Sequence, residues 1–450
     1  MINRVAIVGS GFSGTLQALN LLRHGGPVAV LIERAGEAGS GVAYRATDVD
    51  HLLNVRASNM SAFPDRPDHF VGWLEARGTV EAAPAFVSRQ VYGEYLREML
   101  ASARAASPDR LIVIHGEVVD LIEEDEIEMR LADGRRITAD AVVFAVGNLP
   151  PHDPPGLEES ALSQCKYRGD PWSQDSAKDL HNDDTVLLLG TGLTMVDVAL
   201  SLESKGFDGR IVALSRRGLL PRSHGAMHSP SSALAERPRC GVSQLVARVR
   251  RRAREIGWRS AVDELRPFTQ GIWAAASETE RARFMRHLRP WWDVHRHRLA
   301  PAVADRLAAM QAAGRLTVVA GKTVGFAECG DGVEVDWRPR GANSVEQMQI
   351  RRVFNCTGPL GDLSRTREPL LRSLLDRGAI RSDTARLGID VDRDAAVIGG
   401  DGRTSLRLFA VGPMTRGSFW EIVAVPDIRT QTWSLARRLS NAHWVGGEGL

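Results

Sequence analysis

Gly9, Gly11 and Gly14 stand in G-x-G-x-x-G spacing directly after the apolar run Val5-Ala-Ile-Val8. Glycines so spaced can hold a dinucleotide. Gly9 permits a tight turn, Gly11 lets a pyrophosphate approach the backbone, and Gly14 lets the next helix pack close to the strand. Residues 15–22 read as that helix. With Ser13 beside its first turn, its N-terminus offers free N–H groups and a positive dipole end to phosphates. A second strand, residues 28–32, ends in Glu33, about 20 residues further on, where a carboxylate can accept both ribose hydroxyls.

The device recurs. Asp184-Thr-Val-Leu-Leu-Leu-Gly-Thr-Gly-Leu-Thr-Met-Val-Asp197 keeps the spacing at Gly190 and Gly192, with Thr194 just after, but Met195 replaces the third glycine. The next strand, residues 211–214, ends in Ser215-Arg216-Arg217. Two guanidiniums suit a 2′-phosphate, which arginine grips through a bidentate fork. An Arg-Arg pair is more often a solvated strand end; its position in a repeated plan favours phosphate here.

The elements that must carry these residues repeat as well. Leu111-Ile-Val-Ile-His-Gly-Glu-Val-Val119 has a partner in Leu316-Thr-Val-Val-Ala-Gly-Lys-Thr-Val324. Ala141-Val-Val-Phe-Ala-Val-Gly147 has one in Arg352-Val-Phe-Asn-Cys-Thr-Gly358. A hairpin-like stretch lies between the members of each unit; in the first, residues 127–131 and 136–137 flank the turn pair Asp133-Gly134. Two such units mean two dinucleotides on one chain. A last apolar strand ends in Gly412. Pro426 can open a helix over 427–439, whose positive end would stabilise charge on a reduced ring if it faced the cofactor. Trp420-Glu421 precedes it, with stacking on a flat cofactor or substrate weighed evenly against a buried Trp and a first-turn acid.

The 450 residues allow two or three domains, and net charge +2 favours neither nucleic acid nor an anionic membrane. No apolar run approaches a membrane span, and the glycine-punctuated N-terminus reads as strand-turn-helix rather than a signal or anchor. Four scattered cysteines without C-x-x-C suggest a reducing cytoplasm and exclude a zinc ribbon and a redox-active disulfide. The prolines of Asn148-Leu-Pro-Pro-His-Asp-Pro-Pro155 mark a domain boundary. Residues 229–314 read as a largely helical insertion. Its arginines 248, 250, 251, 252 and 254 look like a solvated basic face. His295 and His297, two apart, point to different faces of a helix. His224 and His228 have glycine between them, so neither pair suits a metal. Asn54, in Leu52-Leu-Asn-Val-Arg-Ala-Ser-Asn-Met-Ser-Ala-Phe-Pro-Asp65, reads on its own as a satisfied turn residue at a strand end.

Together these motifs resemble the two-dinucleotide flavoproteins, with FAD on the first unit and NADPH on the second. More narrowly, Asn54, Met60 and Phe63-Pro64-Asp65 resemble a segment of the class B flavin-containing monooxygenases, with one extra residue after the Met. Leu-Leu-Asn-Val with Met60-Ser61, Gly-Leu-Thr-Met-Val-Asp197, Ser-Arg-Arg-Gly-Leu-Leu-Pro221 and Trp420-Glu421 resemble a closer bacterial group related to L-aspartate N-monooxygenase, which shares the Met at 195. The resemblance implies an α/β fold of two Rossmann-like domains: FAD on residues 1–170 and 355–450, NADPH on 178–354. It implies that Asn54 sits beside flavin and nicotinamide and supports oxygenation. Met60, Val118, Gly147, Gly412 and Trp420 join the cofactor-lining set. The expected activity is hydroxylation of an amine nitrogen or other soft nucleophile, with molecular oxygen, through a peroxyflavin. The alternatives are a flavin-dependent NAD(P)H reductase or dehydrogenase with a non-oxygen acceptor, and a non-catalytic cofactor sensor.

Overall fold

The computed structural model describes residues 2–45, 48, 50–157, 162–172, 177–225 and 236–441. His228 and residues 229–235 of the expected insertion lie outside the described residues.

Two α/β units stand side by side. In the first, strands Arg4–Val8, Val28–Glu33, Leu111–His115 and Ala141–Phe144 are parallel, and Thr404–Ala410 joins beside Ala141–Phe144. The six-stranded order puts Arg4–Val8 centrally, with Val28–Glu33 on one side and Ala141–Phe144 on the other. Chain direction across the sheet reverses there, and ligands bind at the carboxyl ends of strands flanking such a reversal. Gly9 and Gly147 lie at those ends. Helices Phe12–Arg23, Arg89–Ala106 and Val425–Leu439 cover one face, with Val5, Ile7, Leu21, Leu100 and Leu435 buried between.

The second unit repeats this with Thr185–Leu189 at the centre, between Arg210–Ser215 and Arg352–Asn355. Helix Leu193–Ser204 and helix Pro301–Ala312 supply Met195, Val196, Leu200, Val303 and Leu307 to its core. The expected division put residues up to 170 with the first unit. Tyr167–Arg168 instead pairs with Val353 and Phe354 at the edge of the second sheet, so the chain has already crossed over.

The hairpin segments differ. Gly116 interrupts the first, and Val118–Glu123, Ile127–Leu131 and Arg136–Ala139 form a separate three-stranded sheet. In the second unit one strand, Leu316–Cys329, runs through with a bulge near Thr323 and carries Gly332–Pro339 and Glu346–Ile350 on the main sheet. Leu52 and Leu53 do not end a strand; Leu52 makes one isolated bridge to Ser88. Among the described residues no helix is long and apolar enough to cross a membrane.

Candidate functional site

The first cradle is built on contacts too close for side chains. Gly9 has φ +100°, and a Cβ there would lie 2.5 Å from the Ala145 carbonyl oxygen. A Cβ on Gly14 would overlap the Gly9 carbonyl oxygen, so helix Phe12–Arg23 rests directly on the turn. Gly11 is its N-cap, and no side chain caps the helix. First-turn N–H groups have no partner within their own helix, so this end is open to an anion. The Glu33 carboxylate is held beside the turn: Ser10 donates to Oε2 through N–H (2.8 Å) and hydroxyl (2.7 Å), and Ala35 N–H donates to Oε1 (2.7 Å). Gly412 has φ +80°, and a Cβ there would overlap Ser13 Oγ; its N–H donates to Gln431 Oε1 at 2.8 Å. Gly147 has φ +69° and open space where a side chain would be. Val118 is buried at the start of the small sheet's first strand, and Met60 is buried in an aromatic cluster with Phe12, Phe70 and Tyr92. These residues fit an FAD: an uncapped helix end for its diphosphate and a fixed acid for its ribose.

In the second cradle Gly190 has φ +108°, and a Cβ there would overlap the Cys356 carbonyl oxygen, while Gly192 faces open space. Gly192 caps helix Leu193–Ser204 without a side-chain bond, and Thr194 is half-buried in its first turn. Where Ser10 reached Glu33, Thr191 Oγ1 donates to the Leu219 carbonyl oxygen at 2.6 Å and lies 2.9 Å from Ser215 Oγ. The next two residues, Arg216 and Arg217, line a cavity of about 200 Å³ together with Arg286, Pro290 and Arg340. Cys356 is fully buried, and burial pushes its thiol far up, so it stays protonated and is no redox nucleophile.

Asn54 lies at the seam between the units. Its backbone oxygen accepts from His224 Nε2–H of the second unit at 3.0 Å, and its half-buried side chain has no partner among the described residues. Burial pushes the His224 imidazole below its ordinary value, so it is neutral near pH 7. Nearby, Arg89 pairs with the buried Asp197 at 2.7 Å, and His51 Nε2 lies 2.7 Å from Ser201 Oγ. Both pairs join the units.

Trp420 does not offer a face for stacking. Its ring packs on Trp273 at 4.6 Å, with Phe284 edge-on and the Arg416 guanidinium 4.5 Å from its centroid. Those neighbours fill its surroundings and pin the turn before helix Val425–Leu439 to the helical insertion. Glu421 has a positive φ of 71° and is fully buried. Its carboxylate accepts from Trp292 Nε1–H at 2.7 Å and lies 3.1 Å from Arg296 Nε. Burial opposes its charge, but His297, Arg296 and the indole N–H outweigh that and hold the carboxyl below its usual range. Burial pushes His297 and Arg296 down in turn, against the Glu421 charge that raises both. His295 is turned away, near Trp258. Among the described residues no group of three or more His, Cys, Asp and Glu could hold a metal ion.

Sequence reasoning missed several contributors. Gly41, in Gly39-Ser-Gly41, packs on Gly11; two positive-φ glycines were the available signal. Gln431, Arg286 and Arg340 reach the cradles from far along the chain, and nothing local marked them; His224, weighed only as half of a metal pair, reaches Asn54 instead.

Residues 6–149 match the FAD-NAD(P)-binding family. The first cradle is therefore an FAD-NAD(P)-binding unit by both sequence and geometry. A flavin-containing monooxygenase of Aspergillus flavus is 26% identical over 226 residues, 45% of this chain; the chain spans about half the length of that curated relative (50%). Among solved structures, the Erwinia amylovora cadaverine monooxygenase of desferrioxamine biosynthesis, bound to FAD, superposes with TM-score 0.69 at 11% identity, over 98% of this chain and 95% of that one. The Kutzneria sp. 744 ornithine N-hydroxylase, with reduced FAD, NADP+ and L-ornithine, gives 0.67 at 14% identity, over 98% and 99%. At such identities these structures establish the shared two-Rossmann fold.

Proposed function

We propose that the chain is an FAD- and NADPH-dependent monooxygenase that hydroxylates the nitrogen of an amine or amino acid. The observation that carries this is the seam: Asn54, on the segment resembling the flavin monooxygenases, is held by His224 of the second unit with its amide free to meet a ligand. The FAD-binding part comprises the first sheet with Val425–Leu439; the NADPH-binding part begins before Tyr167 and carries the insertion. Glu33 takes the FAD ribose, and Ser13 and Gly11 its diphosphate, with Gly14 letting the helix rest on the turn. Thr194 and Gly192 take the NADPH diphosphate, and Arg216 and Arg217 its 2′-phosphate. Bound flavin supplies hydride acceptance and oxygen activation. The protein positions the two rings, shields them from water and places the amine.

Ornithine and cadaverine as substrates of the superposing enzymes support nitrogen as the target. The motifs resembling the L-aspartate N-monooxygenase group favour an amino-acid amine, and the protonated Cys356 disfavours a thiol-relay reductase. A reducing cytoplasm is the proposed compartment.

The test is NADPH oxidation by the flavin-loaded protein across a panel of amino acids and diamines, with product mass read in parallel. A product heavier by one oxygen supports the proposal. NADPH oxidation that yields no oxygenated product with any amine, but proceeds with a quinone or ferredoxin acceptor, favours the reductase.

A further inference from the structure

The phosphate end of the second cradle is not made by that cradle alone. Arg216 and Arg217 follow strand Arg210–Ser215 directly, but the cavity they line is completed from two other places. Arg286 comes from the helical insertion, on the five-residue π-helical turn Phe284–Leu288. Such turns cost helix stability and recur at functional sites. Pro290, in the first turn of the adjoining helix Arg289–Arg296, forms the wall beside it.

Arg340 comes from the far side, just after strand Gly332–Pro339. Its N–H donates to the Ala320 oxygen at 2.8 Å. Ala320 in turn touches Gly218, where a Cβ would lie 3.2 Å from the Ala320 Cβ. That contact fixes Arg340 against the turn bearing Arg216 and Arg217. Arg217 Nη2 donates to the Arg286 oxygen at 3.3 Å and ties the same turn to the insertion.

Four arginines thus line one cavity, and no carboxylate is among its lining residues. Like charges so placed repel one another, and a phosphate monoester dianion, with three acceptor oxygens, is the ligand that relieves them. A carboxylate or a single hydroxyl would leave most of that charge uncompensated.

We propose that Arg286 and Arg340 complete the 2′-phosphate site begun by Arg216 and Arg217, so that NADPH, and not NADH, fastens the helical insertion onto the second cradle. The proposal rests on the NADPH reading of that cradle. It gives the insertion a cofactor-sensing role. The eight-residue helix Arg289–Arg296 gives Pro290 of its first turn to the cavity, and further along Trp292 and Arg296 hold Glu421 ahead of helix Val425–Leu439. Occupation of the cavity therefore steadies the same helix that braces the flavin side.

The experiment compares Arg216→Gln, Arg286→Gln and Arg340→Gln in the flavin-loaded full chain. It reads flavin reduction by NADPH and by NADH, and hydrogen exchange over residues 284–296 with NADP+ or NAD+ present. The expected result is a loss in NADPH efficiency of about tenfold for Arg286→Gln and Arg340→Gln, with NADH changed by less than about twofold. NADP+, unlike NAD+, should slow exchange in 284–296, and Arg286→Gln should abolish that slowing. If Arg216→Gln alone removes the NADPH preference, the insertion has no part in the site and this inference fails while the NADPH assignment stands. If none of the three shifts the preference, the phosphate assignment fails with it. Equal losses with both cofactors would show a structural role and overturn the inference.

Discussion

The two cradles share one backbone plan and differ in three respects, two of them at matched positions. A Cβ at Gly14 would strike the Gly9 carbonyl, whereas its counterpart in the second unit is Met195, a full side chain buried in the core. The first helix lies on its turn; the second stands far enough off to admit a thioether. Ser10 holds a carboxylate at Glu33, whereas Thr191 binds the Leu219 carbonyl and meets a hydroxyl, not an acid, at Ser215, with arginines next in line. The third difference lies in the hairpins: Gly116 and Gly321 hold matched places, yet the first hairpin forms a separate sheet, while Leu316–Cys329 continues through Gly321 and pairs with Gly332–Pro339, which Arg340 follows. On the proposed reading, the glycine turn makes a nucleotide site, and the residues at the end of the second strand decide which nucleotide.

The strongest way to break this comparison is to exchange the third position. Gly14→Ala should leave less than about a tenth of the flavin bound, because the helix must lift off its turn. Met195→Ala should keep both cofactors and cost about 2–5 kcal/mol of stability as a core truncation. Flavin absorbance after gel filtration, with thermal melts, checks both. Comparable flavin loss in the two variants would mean that the helix–strand distance is not what separates the cradles.

Next in size is the charge at the strand end. Arg216→Gln should lower NADPH efficiency by about 30-fold with little change for NADH. On the other side, Glu33→Gln should weaken FAD by about tenfold through the lost charge-assisted ribose bond. Fluorescence titration of the apoprotein measures the second; an unchanged affinity would show that Ser10 and Ala35 hold Glu33 for structure alone.

Much of this was legible before any fold was seen. The glycine spacing, the strand ends and the repeat depend on residues close in sequence, and local backbone demands leave local marks. Pro426 did open the last helix, Val425–Leu439, in its first turn. Other features were illegible because they rest on distant partners. Trp420 gave no sign that Trp273 and Arg416 would cover its ring. Arg286 sat unmarked in an insertion whose basic residues read as solvated surface. The crossover at Tyr167–Arg168 is a two-residue pairing, too short for any apolar pattern to announce.

The smallest expected effect concerns how the units are fastened. His297 is half-buried, and desolvation pushes its imidazole below the ordinary value, so the unfolded chain takes up a proton before the folded one does. Stability is therefore full above about pH 6.5 and is lost as pH falls from there towards the folded value. His24, His69 and His224 are shifted the same way and add to the slope. His297→Gln should flatten it by a few degrees of melting temperature at acidic pH. An unaltered slope would place the acid sensitivity elsewhere.

The central claim is that one chain holds FAD and NADPH on twin cradles with their rings in reach of each other. Anaerobic mixing of the flavin-loaded protein with NADPH tests it directly. The account predicts rapid, complete bleaching of the flavin, much slower with NADH. A protein that binds no flavin, or whose bound flavin stays oxidised in excess NADPH, would contradict it.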